Sequence, residues 1–387
     1  MKPRAVTGFG VVSSLGIGRE EFLGGMREGA PSTADGPSEI DVSRYPGVRV
    51  MEVSGFDATR YLGDKGLRSL DRLTKLLVVA TRLALHDAGL KKEGAWTPIS
   101  EGTPTWSERV GMVVSNAYGS LEAINELDRV ALLEDRRYIN PARFPLTVSN
   151  SAAGYASIWE DIRALNDTVS DGNCCALDAV ACADMFLEDG RADALLVGGV
   201  EALTEALPLA FHRLGIEGVC IGEGAALLAL ETRERARARA ADMLAEVTGY
   251  GTAFVAPEAE SALVRPSAEG LERAVAGALA DAGIGPRDVG VVVSGVSGLR
   301  GFDEAELLAI AHAVGDDALV VAPKVAVGET LGAGAAMGML AAIAHLRFDT
   351  CAPVVRGSVR GKVRTALVTS MGYYGNSSAL VMRAPSR

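Results

Sequence analysis

The chain has 387 residues, which at about 150 residues per domain corresponds to two or three domain-sized units and excludes a small scaffold. Acidic residues outnumber basic residues by 49 to 38, which gives a net charge of −11. Because no block of Lys and Arg is interleaved with aromatic residues, the sequence lacks a nucleic-acid footprint, and an anionic membrane surface would repel the chain.

Short apolar runs suited to buried strands alternate with longer helical patterns along the chain, which is typical of a layered α/β fold. Strands are predicted at residues 4–8, 110–115, 168–170, 194–198, 225–230, 289–295, 318–322, 364–369 and 378–382. Helices are predicted at residues 20–28, 67–88, 119–132, 151–165, 174–188, 268–282, 303–314 and 331–346. In each half of the chain, a helix rich in small residues directly follows a strand, which favours an internal duplication.

A charged segment with the sequence ETRERARARA follows the predicted strand at 225–230 and carries four arginines, Arg233, Arg235, Arg237 and Arg239. Charge runs are usually solvated, so we expect a crossover here between two domains, residues 1–240 and residues 241–387. A docking patch for an acidic partner is the alternative interpretation.

Motifs for cofactors and metals are missing. The glycine-rich residues 7–16 lack the third glycine of a dinucleotide fingerprint, and no phosphate-binding loop, HExxH or GxSxG motif is present. The cysteines form no CxxC framework, so neither a disulfide scaffold nor a zinc site is expected. No run reaches about 18 consecutive apolar residues, and we expect a cytoplasmic protein with no cofactor and no membrane contact.

The most informative stretch is residues 166–180 (NDTVSDGNCCALDAV). A strand that leads abruptly into a helix of small residues places the turn at the helix N-terminus. There, free N–H groups and the helix dipole stabilise a developing anion. A nucleophile would therefore be expected at this turn.

At this point the sequence resembles the beta-ketoacyl synthase family, the condensing enzymes of thiolase-like fold. The resemblance covers nearly the whole chain and includes VTGFGVVSSLG at 6–16, ADALLVGGVEA at 192–202, GEGAALLALE at 222–231 and SMGYYG at 370–375. It implies an α/β, thiolase-like five-layer αβαβα fold of two duplicated halves.

The resemblance also assigns the family's catalytic positions to this chain. The family elbow thr-val-ser-thr-ala-cys aligns with residues 168–173, which puts Asn173 in the position of the nucleophilic cysteine. The two catalytic histidines align with Gly295 and Glu329, while the family lysine is retained as Lys324. The Cys-His-His constellation is therefore absent, and an Asn side chain forms no acyl-enzyme.

Cys174 is the fallback nucleophile, because a thiol at a helix N-terminus can have a lowered pKa. Glu329 would then act as a substitute base. The alternative is that Cys174 is a small buried packing residue, which is the usual fate of a free cysteine. Three of the four histidines lie in predicted helices, and His212 lies before the predicted strand at 225–230. None has a paired nucleophile, and none receives a catalytic role.

The family loop phe-gly-phe-gly-gly, which backs the acyl pocket, corresponds here to Met371, Gly372, Tyr373, Tyr374 and Gly375. Tyr374 replaces a glycine, and we expect its side chain to fill space that a substrate would use. Lys324 and Glu329 are expected to form either a buried ion pair or an exposed pair of little energetic value.

Within this family, an intact fold without the cysteine resembles the chain length factor, the non-condensing subunit of type II polyketide synthases. The resemblance implies a heterodimer with a ketosynthase subunit, with the helix around residues 151–154 facing that partner. It also implies an acyl or polyketide chain as ligand and an acyl carrier protein as partner, the latter docking at Arg233–Arg239. The alternatives are an independent acyltransferase-type enzyme that uses Cys174 and Glu329, and a carrier-protein-binding scaffold.

Overall fold

The computed structural model describes residues 1–28, 40–99, 105–256, 266–348, 350–358 and 361–385, where strands and helices alternate. The strands of the first half are β1 (Arg4–Ser13), β2 (Gly16–Ile17), β3 (Arg49–Met51), β4 (Lys91–Lys92), β5 (Ala95–Trp96), β6 (Val110–Ser115), β7 (Asn166–Val169), β8 (Ala194–Glu201), β9 (Cys220–Gly222) and β10 (Gly224–Thr232). Those of the second half are β11 (Ala245–Phe254), β12 (Val291–Val293), β13 (Val320–Val321), β14 (Val354–Arg356), β15 (Thr365–Met371) and β16 (Asn376–Arg383).

The helices divide in the same way. Those of the first half are α1 (Arg19–Glu28), α2 (Thr59–Leu62), α3 (Arg72–Asp87), α4 (Leu121–Leu133), α5 (Ser151–Glu160), α6 (Cys175–Glu188), α7 (Ala206–Leu214) and α8 (Arg233–Ala238). Those of the second half are α9 (Ala268–Asp281), α10 (Arg300–Val314), α11 (Lys324–Val327) and α12 (Gly334–Arg347). The predicted boundary between residues 240 and 241 falls between α8 and β11 and stays a prediction.

The two halves repeat one strand arrangement. The order is β7-β6-β8-β10-β1 in the first half and β13-β12-β15-β16-β11 in the second. In each half the first three strands are parallel, and the next two pair antiparallel. A short antiparallel pairing of β1 with β11 joins the half-sheets. The predicted α/β fold of duplicated halves is confirmed.

Five layers result from this arrangement. Helices α6 and α12 lie between the half-sheets, α3 and α5 cover the first half-sheet, and α9 and α10 cover the second. Every residue of α12 from Gly334 to Leu346 is buried, as expected for a helix that is apolar on all sides. Within the described ranges, no helix combines the length and the hydropathy needed to cross a bilayer.

Strand β11 is not apparent in the sequence pattern. Its residues Gly249 and Gly251 lie against α9, where an added Cβ atom would come within 2.4 Å and 2.1 Å of the carbonyl oxygens of Ala278 and Ala274. Only glycine fits so close an approach of a helix to a strand. These glycines interrupt the apolar pattern by which strands are recognised.

Two predicted helices are shorter in the structure. The helix predicted at 67–88 begins only at Arg72, because the Asp71 side chain accepts a hydrogen bond from the Thr74 N–H at 2.9 Å and caps a new helix. The helix predicted at 151–165 ends at Glu160, since Asp161 has a left-handed backbone with φ at +57°.

The charged segment after β10 is largely helical as α8, and three of its four arginines are engaged within the fold. The ion pairs are Arg233 with Glu246, Arg235 with Asp193, and Arg239 with Glu231. Little free positive charge remains for an acidic partner. The arrangement therefore counts against the predicted carrier-protein docking at this segment.

Candidate functional site

The turn after β7 holds the first predicted site residue, Asn173. Gly172 has a left-handed backbone with φ at +84°, which lets the chain turn into a short 3-10 helix, Gly172–Cys174, and then into α6. Asn173 is buried, and its backbone carbonyl accepts a hydrogen bond from the Ser370 hydroxyl at 2.8 Å. The elbow of the first half is thus attached to β15 of the second half.

Cys174, the residue after Asn173, is fully buried. Its Sγ atom lies 3.4 Å from the carbonyl oxygen of Ser370 and therefore faces the second half-sheet. Burial raises the pKa of the Cys174 thiol well above its usual value, and nearby carboxylates raise it further. A neutral, enclosed thiol is a poor nucleophile, so this geometry gives the predicted fallback role no support.

Gly295, the second predicted position, lies just beyond β12. Its N–H donates to Glu306 Oε1 at 2.8 Å, and an added Cβ atom would lie 3.2 Å from Glu306 Oε2. Glu306 also accepts a hydrogen bond from the Thr369 hydroxyl at 2.6 Å, and burial raises the pKa of its carboxyl. Glu306 therefore occupies space beside Gly295, the position predicted to correspond to a family histidine.

Glu329, the third position, forms a buried ion pair with Lys324. The two side chains are 3% and 5% exposed, and Glu329 Oε2 lies 2.8 Å from Lys324 Nζ. The other carboxylate oxygen, Oε1, accepts the Leu331 N–H at 2.9 Å. Of the two predicted arrangements, the structure contains the buried pair. The Glu329 carboxylate is therefore held in an ion pair with the Lys324 ammonium group.

Tyr373 lies among these positions. Its ring packs edge-on against Phe302, with centroids 5.3 Å apart, and its phenol forms a hydrogen bond with the Asn173 side chain. Burial raises the pKa of the Tyr373 phenol well above its usual value, and the Glu329 charge adds to this effect. The phenol is therefore neutral and lies near both Asn173 and Glu329.

Tyr374 does not fill this space as the sequence suggested, because it is 58% exposed. It lies at the rim of a cavity of about 510 Å³ beside the elbow, which we call the tyrosine cavity. The residues that line it are Ala117, Tyr118, Ser170, Asp171, Gly172, Phe254, Tyr373, Tyr374 and Asn376. Of the two adjacent tyrosines, Tyr373 is the less exposed and is half-buried.

A pair of carboxyl groups lies beside the tyrosine cavity. Asp171 is hydrogen-bonded to Asp178, and burial together with this contact raises the pKa of Asp171 to about 8. Asp178 also accepts hydrogen bonds from the hydroxyl groups of Tyr250 and Ser378. The pair therefore connects the elbow and α6 to strands β11 and β16 of the second half.

Glu201, at the end of β8, holds the surrounding loops together. Its Oε2 accepts the Ala117 N–H at 2.7 Å and the Gly332 N–H at 3.2 Å, and its Oε1 accepts the Tyr118 N–H at 3.4 Å. The carboxyl is fully buried, and burial raises its pKa to about 7 despite these hydrogen bonds. Glu201 thus joins a loop of the first half to the start of α12.

A larger cavity of about 790 Å³ lies elsewhere, near the N-terminus of α3. Its lining mixes both charge signs, with Arg68, Arg72 and Lys75 opposite Asp57 and Glu122. It contains none of the predicted site residues, and none of the four histidines lines either cavity. Size alone therefore does not mark the candidate site, and the tyrosine cavity is the one adjacent to the elbow.

The structure brings together Asn173, Glu329, Lys324 and Tyr373, and it places Gly295 beside the buried Glu306. Met371 is buried at the end of β15, and Gly372 lies against Asn376, whose Oδ1 would be 1.9 Å from an added Cβ atom. Sequence reasoning gave no role to Asp171, Asp178 or Glu201. The signals available were the leu-asp-ala stretch after the elbow and the acidic residue that ends the VGGVE segment.

Comparisons with known proteins agree with this architecture. The beta-ketoacyl synthase N-terminal domain matches residues 1–236, and the beta-ketoacyl synthase C-terminal domain matches residues 244–357. A Streptomyces coelicolor protein described as a polyketide beta-ketoacyl synthase 2 is 30% identical over 414 residues, covering 98% of this chain and 94% of that protein.

Two solved structures share the fold. One, described as the ishigamide ketosynthase/chain length factor, superposes with a TM-score of 0.86 at 24% identity and covers 100% of both chains. The other is a type II polyketide synthase acyl carrier protein in complex with its ketosynthase, with a TM-score of 0.80, 21% identity and coverage of 99% and 100%. The layers and the elbow define a protein of the thiolase-like class. The chain belongs to the beta-ketoacyl synthase family.

Proposed function

We propose that this chain is a non-condensing, chain-length-factor-like subunit that pairs with an active ketosynthase in the cytoplasm. It would shape the tunnel for the growing chain in type II polyketide or fatty-acid-like biosynthesis. The proposal rests on the correspondence that the family resemblance implies, in which Asn173, Gly295 and Glu329 stand in place of the family's Cys-His-His within an otherwise intact fold. Condensation needs a thiolate to carry the acyl group, and none of these side chains supplies one.

The surroundings of these positions support the proposal. The Tyr373 phenol contacts the Asn173 side chain, and Lys324 holds the Glu329 carboxylate in an ion pair. The enclosed thiol of Cys174 gives no support to an independent acyltransferase. Of the similar structures, one is described as a ketosynthase/chain length factor and another holds a ketosynthase with an acyl carrier protein, which fits the proposed partners.

An exposed apolar surface is available as a contact surface for the partner subunit. Strand β7 ends the sheet and pairs only with β6 within the described ranges, so its outer edge is open to another chain. Several large apolar side chains between β6 and β7 are exposed: Leu132, Leu133, Tyr138, Phe144, Val148 and Ile158. Exposed apolar patches of this kind mark protein interfaces. We propose that the ketosynthase covers this face, with α5 at the contact.

Co-expression with the ketosynthase encoded nearest to this chain tests the proposal. We expect a one-to-one complex by size exclusion with mass determination, and malonyl-carrier condensation only when both chains are present. A homodimer that ignores the ketosynthase would overturn the auxiliary-subunit role. It would leave the carrier-protein-binding scaffold as the alternative.

Substitution of Asn173 by Cys is expected to restore no condensing activity. The variant gains a thiol, but Gly295 and Glu329 still supply no imidazole, and Tyr373 remains beside the substituted position. The measurement is malonyl-carrier condensation by the purified variant without a partner, compared with the unmodified chain. Activity above that background would refute the claim that the site is inert.

Replacement of Ile158 by Arg is expected to weaken the complex with the ketosynthase at least tenfold. Ile158 is 78% exposed on α5, and a guanidinium there would have to be desolvated at the contact. The matched control is Val354→Arg, at an exposed position on β14 at the opposite end of the sheet. Equal affinities for the two variants, measured by titration calorimetry, would place the interface elsewhere.

A further inference from the structure

The tyrosine cavity is lined to an unusual degree by aromatic rings. Four of its nine lining residues are Tyr118, Phe254, Tyr373 and Tyr374, although aromatic residues make up only 5% of the chain. Tyr118, Phe254 and Tyr374 are 44%, 62% and 58% exposed. Their ring faces are therefore available to a ligand.

The described residues that line the tyrosine cavity include no branched aliphatic side chain. None of the described lining residues is Leu, Ile, Val or Met, in a chain that is 48% hydrophobic. A surface groove of about 550 Å³ between α9 and α10 is lined instead by Val275, Leu279 and Ile284 among others. Aliphatic side chains thus line this other groove, whereas aromatic and polar side chains line the tyrosine cavity.

The remaining wall of the tyrosine cavity is polar. Ser170, Asp171 and Asn376 contribute hydroxyl, carboxyl and amide groups. Asn376 Oδ1 is buried and has no hydrogen-bond partner within the described part of the chain. Because the pKa of Asp171 is raised to about 8, its carboxyl is largely neutral and adds no full charge to the cavity.

We infer that the tyrosine cavity binds a planar, conjugated acyl chain in preference to a saturated chain of equal length. This inference rests on the proposed chain-shaping function and names the substrate class for it. Flat π-systems stack on aromatic rings, offset or edge-on, with an attraction beyond the area that they bury. A saturated chain is thicker, gains only from burial, and has no branched aliphatic side chains to pack against here.

The test compares two small thioesters on the full-length chain. The probes are S-(2,4-hexadienoyl)-N-acetylcysteamine and S-hexanoyl-N-acetylcysteamine, which share carbon number and thioester and differ only in conjugation. Buried apolar area alone would favour the hexanoyl ester slightly, because it carries more hydrogen. We expect calorimetry to give a dissociation constant about fivefold to tenfold lower for the dienoyl ester.

Three single substitutions locate the preference. Tyr374→Leu and Phe254→Leu keep apolar bulk but remove one ring, and each is expected to reduce the dienoyl affinity to about that of the hexanoyl ester. Both positions are largely exposed, so folding should not suffer, and thermal unfolding checks this. Tyr138→Leu, at a tyrosine that is 72% exposed and does not line the cavity, is the matched control and should retain the preference.

Several outcomes would overturn the inference. They are equal affinities, a preference for the hexanoyl ester, a preference that survives both cavity substitutions, or no measurable binding of either ester. Because binding is measured on the chain alone, its result does not depend on whether the ketosynthase complex forms. Failure of the complex with an intact dienoyl preference would instead count against the subunit role and leave the binding site in place.

Discussion

Replacement of Lys324 by Met is expected to lower the free energy of unfolding by about 3–5 kcal/mol. Lys324 and Glu329 are both almost fully buried, and the nitrogen and oxygen lie 2.8 Å apart. Met matches the length of the lysine stem but carries no charge, so Glu329 would remain as an uncompensated carboxylate in the interior. Urea unfolding of the variant and the parent chain at pH 8 gives the difference.

The double variant Lys324→Met/Glu329→Leu controls for this experiment. Removal of both charges takes away the desolvation cost along with the attraction, so most of the lost stability should return. A loss below about 1 kcal/mol in the single variant would mean that water reaches the pair and screens it.

Replacement of Glu201 by Gln is expected to remove part of the pH dependence of stability. The pKa of Glu201 is raised from 4.5 to about 7 in the folded chain. A raised folded-state pKa contributes stability that is fully present below about pH 4.5 and is lost as the pH rises through about 7. At 1.36 kcal/mol per pKa unit, the parent should lose about 2 kcal/mol more than the Gln variant between pH 5.5 and pH 8.

Two further ionisable groups also contribute to the pH dependence of stability. Asp171, with its pKa raised from 3.8 to about 8, adds a loss of the same sign across the whole window of the measurement, and Asp171→Asn should remove that portion. His345 acts in the opposite direction, because burial lowers its pKa to about 4 and stability is lost as the pH falls from about 6.5. Parallel pH profiles for the parent and Glu201→Gln would show that Glu201 does not titrate in this range.

Glu201→Ala separates the role of Glu201 as a hydrogen-bond acceptor from the role of its charge. This substitution leaves the N–H groups of Ala117 and Gly332 without their acceptor, and each unmade buried hydrogen bond costs about 1–3 kcal/mol. We expect a clear destabilisation at all pH values. The Gln variant, which retains an acceptor oxygen, should not show it.

Patterning along the sequence predicted those elements whose packing requires apolar runs, such as β8 and α6. Strand β11 escaped because Gly249 and Gly251 admit the backbone of α9, and that requirement is set by the neighbouring helix rather than by the strand itself. Helix α8 escaped because Arg and Ala alternate along it, which is not a helical period. Local sequence pattern therefore fails to predict an element where a tertiary contact determines which residue type is required.

The candidate site divides in the same way. The positions of Asn173, Gly295 and Glu329 follow from spacing within the resemblance, and the buried pair with Lys324 is one of two arrangements that the sequence allowed. Which of Tyr373 and Tyr374 is the less exposed ring depends on the direction of one backbone turn. The Asp171–Asp178 contact also depends on how the elbow folds against α6, and residue types alone do not specify it.

The two ends of the sheet differ. At one end, β7 is bordered by the exposed apolar residues of α4 and α5. At the other end, β14 has three residues, follows Pro353 and ends at Arg356, features that blunt an edge against further pairing. Under the proposed pairing, the ketosynthase adds at the β7 end, and the blunted β14 end counts against growth into open-ended fibres.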